Sequence, residues 1–299
     1  MSLALGTSFA RLNAGSASVK RMFRGSAGVW NADAADWIKR VEGNSGSVST
    51  ATANAVTTFC NAIDAAGIRD RFYRLNLFCG TGLNACLVPL YRGPSLSGTQ
   101  YGNATDTNNG PFVGDDYAET GASGGLTGNG SNKYLDTGLK PEDTADPPLT
   151  GHLAVYDGGR IVAATEIPLG SYTVTTAAQR FSVERRTTGR ITGWGGGGIY
   201  SGDSENTSTG AMIFADRSDS TTMTTYINGS SVGVNSANTI PAGNANSFAV
   251  FAVNKGDVVT SLYGGSLRGY SIGLSMSSEN ASDYYTAMQA FQTALGRNE

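Results

Sequence analysis

Turn-forming residues interrupt the second half of this chain about every eight to fifteen positions, which leaves only short apolar runs between them. Such runs occupy 134–138, 152–156, 180–184, 191–194, 212–215, 247–253 and 262–272. The clearest turn is Asn228-Gly229, set between Thr224-Thr225-Tyr226-Ile227 and Ser230-Ser231-Val232, because both central residues tolerate positive φ and so close a tight hairpin. Short strands at this spacing predict an antiparallel sandwich or barrel. The 41 glycines have no three-residue period, which excludes collagen, and 39% apolar residues can fill a core, which argues against general disorder.

Two segments read as helices instead. Over 49–67, Ala53, Val56, Phe59, Cys60 and Ile63 recur at helical spacing behind a Ser/Thr-rich start and ahead of Gly67. Over 278–295, Ser277 is a cap, Tyr284, Met288, Phe291 and Leu295 form one stripe, and Gly296 stops the helix. Strands are expected over 72–79 and 85–90, the second ending near Pro89. Residues 93–132 read as long loops rich in Gly, Asn and Asp, of the kind a compact domain uses for contact. Residues 1–33 read as an assembly arm, with a small hairpin about Gly25-Ser26 whose Val19, Phe23, Val29 and Trp30 need a surface to pack on. The organisation expected is therefore an arm over 1–33 and one sandwich over 34–299.

Lys and Arg number 21 against 24 Asp and Glu, a net charge of −3, and basic residues cluster no further than pairs. A nucleic-acid footprint is absent. The first residues lack the basic start and apolar run of a signal peptide, and no stretch is apolar enough to span a bilayer, so synthesis in the cytoplasm without membrane insertion is expected. Three cysteines, Cys60, Cys79 and Cys86, cannot all pair and read as buried thiols.

Three stretches carry a resemblance to a known family. Ala65-Ala66-Gly67-Ile68-Arg69-Asp70-Arg71-Phe72-Tyr73-Arg74-Leu75-Asn76-Leu77-Phe78, Gly128-Asn129-Gly130-Ser131-Asn132-Lys133-Tyr134-Leu135-Asp136-Thr137-Gly138-Leu139, and 267–279 before the last helix are similar to segments of bacteriophage and prophage virion proteins with a concanavalin A-like (laminin G-like) domain. The run 19–30 resembles the Gly-Ser hairpin of phage tail and fibre proteins, although Arg24 stands where a small or apolar residue is usual. The resemblance implies an all-β concanavalin A-like jelly-roll sandwich in a virion structural protein. A tail fibre or adhesin contacting the host surface is the reading favoured, with a capsid decoration or cement protein, or a head fibre, as the alternative. The partners it implies are other virion proteins, further copies in a homotrimer, and a host-surface glycan.

Each chemical motif in the chain has a plainer structural role. His152, the only histidine, lies in a predicted strand without the partner spacing of a triad or zinc site and reads as structural. Gly121-Ala122-Ser123-Gly124-Gly125 matches a nucleophile elbow but lacks its strand-and-helix frame, and 193–198 matches a phosphate loop by glycine density alone. A glycan depolymerase needs two facing carboxylates; Glu166 precedes Pro168 and Glu184 precedes Arg185 and Arg186, which suits neither to acid catalysis, so no enzyme is expected. Asp106, Asn108, Asp115 and Asp116 alternate as calcium ligands can, but Pro111 replaces the needed glycine and Asx turns are the plainer reading, so no cofactor is assigned. Among aromatics near Gly, Asn or Ser, Trp194 and Tyr200 are the candidates for stacking on a sugar ring, while Tyr226 reads as core.

Overall fold

The computed structural model describes residues 30–144, 150–173, 180–195, 200–236, 244–256 and 258–297, the side chain of Tyr200 excepted. The chain divides into two units, Met1–Trp30 and Asn31–Glu299. Of the first only Trp30 is described, so the expected hairpin with Val19, Phe23 and Val29 lies outside the described residues.

The second unit opens with two amphipathic helices, α1 (Ala32–Gly43) and α2 (Thr50–Ala65). Asn31 caps α1 by accepting from the Asp33 N–H, and Ala34, Trp37 and Val41 form its buried stripe. Ser49 caps α2 in the same way through Thr52, and Ala53, Val56, Phe59, Cys60 and Ile63 are buried. The chain continues through β1 (Phe72–Asn76), a single turn α3 (Leu83–Cys86), and the two- or three-residue strands β2 (Thr107–Asn108), β3 (Tyr117–Ala118), β4 (Gly125–Thr127) and β5 (Leu135–Asp136). Longer strands follow, with the three-residue β10 (Tyr200–Gly202) among them: β6 (Gly151–Asp157), β7 (Glu166–Tyr172), β8 (Arg180–Arg186), β9 (Gly189–Gly195), β11 (Ala211–Arg217), β12 (Met223–Ile227) and β13 (Ser230–Asn235). The short strands β14 (Ala249–Val250), β15 (Val253–Asn254) and β16 (Val259–Thr260), then the long β17 (Ser266–Gly273), lead into α4 (Ser278–Ala294).

These strands form two sheets. One runs β13-β12-β11-β6-β17-β4-β3 with β1 against β17, and the other runs β10-β9-β8-β7-β14-β5-β2 with β15 and β16 attached beside β7. All pairings are antiparallel except β15 with β7. The molecule is thus an all-β sandwich of the expected jelly-roll class. Leu153, Val155, Ile213, Ala215 and Leu267 point between the sheets, whereas Ala154, Tyr156, Met212 and Phe214 point outwards into a second core under the helices. Because β6 and β11, inside the first sheet, are buried on both faces, they read as nearly continuous apolar runs.

Two expectations are corrected, and one strand lay outside them. Residues 85–90 are not a strand: the chain turns at Gly82, with φ of 80°, into α3 and then into Val88 and Leu90, which are buried without alternation. The loops of 93–132 contain β2, β3 and β4. Strand β7 carries Pro168 yet pairs on both sides, because its register shifts between Glu166 and Leu169 and the Pro168 carbonyl accepts from Phe251.

Two of the stretches that carried the family resemblance meet at the buried side chain of Arg74, and the third reaches it through the backbone at Gly102 and Asn103. Arg74 in β1 donates to Asp106 Oδ1 at 2.7 and 3.0 Å, to the Tyr270 hydroxyl of β17 at 2.9 Å, and to the carbonyls of Tyr101 and Asn103. Tyr270 donates to the same carboxylate, and Asn76 donates to its other oxygen. Gly102 lies in the left-handed region at φ 68°, and a Cβ there would stand 2.4 Å from the Thr137 carbonyl and 2.9 Å from Arg74 Nη1. Arg74 and Asp106 are wholly buried, so removing one strands the other's charge. Arg74→Met is expected to lower unfolding free energy by about 3–5 kcal/mol, read as a fall in the urea midpoint at unchanged m. A loss under about 1 kcal/mol would show that the pair is dispensable.

Candidate functional site

One end of the sandwich gathers the segments where β11 and β17 stop and β1, β6 and α4 begin. Between them lies an open recess of about 410 Å³ lined by Arg71, Thr150, Ser218, Ser275, Ser277 and Asn280, with Leu274 and Met276 supplying its apolar part. Arg71 is held by its backbone, which accepts from the Leu274 N–H, so its side chain remains half-exposed over the opening with Asp70 at 3.6 Å. Ser277 is the cap of α4 and accepts from the Asn280 N–H. Hydroxyls, an amide and a guanidinium around a small apolar patch suit a ligand that carries many hydroxyls.

Behind the recess wall Asp216, at the end of β11, is 3% exposed. Its Oδ1 accepts from the Met276 N–H at 2.8 Å and its Oδ2 from the Ser275 hydroxyl at 3.0 Å. Neither partner carries charge, and burial pushes the carboxyl up to about 7, the two hydrogen bonds opposing it. His152 stands in register with Asp216 on β6. Its ring stacks on Phe214 at 5.2 Å, Nδ1 donates to the Leu274 carbonyl at 2.8 Å, and Nε2 accepts from Ser271 at 2.9 Å. Burial lowers His152 to about 4, against the partial support of that carbonyl. The neutral ring has one donor and one acceptor and uses both, the structural role expected for it.

The residues named from the sequence lie elsewhere. Trp194 is 5% exposed and packs edge-on to Phe181 between the sheets, so its ring faces the core. It borders Gly151 and Thr150 from within, one layer below the recess. Tyr200 begins the edge strand β10 opposite Gly193. Tyr226 is buried against Phe214, as core. The four oxygen donors are not brought together: Asp106 holds Arg74, Asn108 exchanges both its amide bonds with the backbone of Phe112, Asp116 pairs with Lys133, and Asp115 is exposed. Among the described residues no three His, Cys, Asp or Glu side chains are grouped to hold a metal, and no helix is long and apolar enough to cross a membrane. Glu184 is clamped by Arg180 and Arg186, while Arg185 turns to the opposite face and Asp157; Glu166 accepts from Gly264 and pairs with Arg160 at 3.1 Å. Arg71 and Ser275 lie in stretches that carry the family resemblance, but nothing there marks them as ligand contacts, and with Ser218 and Asn280 they meet only through the ends of distant strands.

The stability linkage of the two buried groups runs in opposite directions. His152 ordinarily titrates at 6.5, so its contribution is whole above that pH and lost as pH falls towards 4. Asp216 ordinarily titrates at 3.8, so its contribution is whole below that pH and lost as pH rises through 7. The wild-type melting midpoint should therefore be nearly level across this window. Asp216→Asn should uncover the loss on the acid side and His152→Gln the loss on the alkaline side, read by scanning fluorimetry. Two variant profiles parallel to the wild type would remove this assignment.

No family model and no curated protein matches the chain. Among solved structures, the carbohydrate-binding module CBM40 of the Ruminococcus gnavus IT-sialidase, bound to α2,3-sialyllactose, is similar over 48% of this chain and 90% of its own, at 10% identity and a TM-score of 0.37. Domain 4 of a GH43 extracellular arabinanase from Geobacillus stearothermophilus, in complex with arabinotriose, matches over 60% and 86% respectively, at 17% identity and a TM-score of 0.40. The sialidase of Trypanosoma rangeli matches over 74% of this chain at 10% identity and a TM-score of 0.46, and the chain spans only 33% of that enzyme's length.

Proposed function

We propose that this chain is a bacteriophage virion structural protein, an adhesin of the tail fibre, whose sandwich meets a host-surface glycan by binding and without catalysis. The observation that carries the reading is the recess of Arg71, Ser218, Ser275 and Asn280, whose donors and acceptors match saccharide hydroxyls. The carboxylates that a depolymerase would need support the binding reading, because Glu166 and Glu184 are both engaged by arginines rather than facing an opening. The sequence resemblance supports a virion protein, and its three stretches meet in the buried network about Arg74 and Gly102.

Three measurements test it. Cryo-microscopy of particles should place the protein at the tail; density on the capsid surface would favour the decoration or cement reading. On a glycan array, the double variant Arg71→Ala with Asn280→Ala should lose binding by about tenfold or more, since each removes a hydrogen-bonding group, while its melting midpoint stays near the wild type. Shortened glycans after incubation with the protein would overturn the non-catalytic reading.

A further inference from the structure

We infer that Asp216 determines which half of a hydrogen bond Ser275 offers to the recess. The inference rests on the glycan reading only for its choice of ligands; the switch itself is a property of the wall. Asp216 has two neighbours of unequal chemistry. The Met276 N–H can only donate, so Oδ1 must accept whatever the state of the carboxyl. The Ser275 hydroxyl can donate or accept.

With the carboxylate ionised, both oxygens accept, the Ser275 hydrogen points inwards, and the recess sees only the lone pairs of Oγ. When a proton from solvent settles on Oδ2, that oxygen becomes the donor and the bond at 3.0 Å reverses. Ser275 Oγ then accepts from Asp216, and its own hydrogen is free to point into the recess. An acceptor site has become a donor site without movement of a heavy atom. Ligand acceptors such as an N-acetyl carbonyl or a carboxylate are favoured by the protonated wall, and ligand donors by the ionised one.

The surroundings leave Asp216 to titrate where this matters. In register on β6 is His152, neutral until far more acid pH; β12 presents Tyr226; the strand's own end and loop hold Arg217 and Asp219. The Arg217 guanidinium is directed to the carbonyls of Asp219 and Ser220. Asp219 is held down at about 2 by the Thr221 and Thr222 donors and is always charged. Arg71 lines the recess from ahead of β1, and Glu279 is the acidic residue in the first turn of α4. None of these bonds the carboxyl, so its titration near 7 leaves it mostly protonated at pH 6 and mostly ionised at pH 8.

Asp216→Asn imitates the protonated wall at every pH, because its carbonyl accepts from Met276 and its amide donates to Ser275. Ser275→Ala removes the group that switches. The full chain is assayed on an array of N-acetylated, carboxylate-bearing and neutral oligosaccharides at pH 6 and pH 8, and the Met276 amide shift is followed by NMR over the same range. Wild type should bind the N-acetylated or carboxylate-bearing probes about tenfold more tightly at pH 6; Asp216→Asn should hold that tighter binding at pH 8, and Ser275→Ala should bind equally at both. The Met276 amide should titrate near 7 in wild type and not at all in Asp216→Asn. Persistence of the wild-type pH effect in Asp216→Asn, or a Met276 amide that does not move between pH 6 and 8, overturns the switch. An array silent at both pH values, with the Met276 titration as expected, overturns the glycan reading and leaves the switch standing.

Discussion

Arg74 can remain in the dry interior only while Asp106, Tyr270 and the carbonyls of Tyr101 and Asn103 surround it, and these groups come from widely separated parts of the chain. A guanidinium placed there without them would carry a desolvation penalty that no apolar packing offsets. The network therefore ties β1 to β17 in one sheet and to the loops that lead into β2. Gly102 allows the backbone to pass within reach of both Thr137 and Arg74, which brings the second sheet's edge to the same point. The two sheets keep their alignment because this polar knot has one satisfying arrangement, whereas apolar faces alone tolerate sliding.

Burial of β6 and β11 on both faces has a further consequence at their open end. There His152 and Asp216 lie side by side on neighbouring strands, each deprived of water and each without a charged partner. Their protonation is consequently shifted towards the neutral forms, by the same physical cause acting on groups of opposite charge. The hydrogen bonds that Asp216 accepts from Ser275 and Met276 also fasten the turn between β17 and α4. The recess is thus the visible side of a wall whose inner side is a buried carboxyl.

Local patterns recovered much of the framework. The stripe from Ala53 to Ile63 and that from Tyr284 to Leu295 are helices, the second with the expected Ser277 cap and the first capped by Ser49 of its Ser/Thr-rich start, and Asn228-Gly229 closes β12 and β13 with positive φ at both residues. The stripe of Ala34, Trp37 and Val41 behind Asn31 was equally legible but was absorbed into the assembly arm and the sandwich. Strand β7 was hidden by Pro168, whose missing N–H argues against a paired strand unless a register shift accommodates it. The run 85–90 misled for the opposite reason: a segment buried on all sides needs no periodicity, so apolar residues there could not distinguish a strand from a helical turn.

Asp106 shows the same limit at the level of chemistry, since an acid among Asn and Gly residues looks like a loop ligand until an arginine from β1 is found beside it. By itself the sequence determined the class of the fold, because turn residues and side-chain periodicity act within a few positions and are written locally. It likewise determined the two long helices and the structural role of His152. Which acids meet arginines, why Trp194 faces the core, and where Arg71, Ser275 and Asn280 converge were decided only by tertiary structure. Those outcomes depend on distances between strand ends that no local pattern encodes, and on a burial that exists only once both sheets and the helical layer have closed.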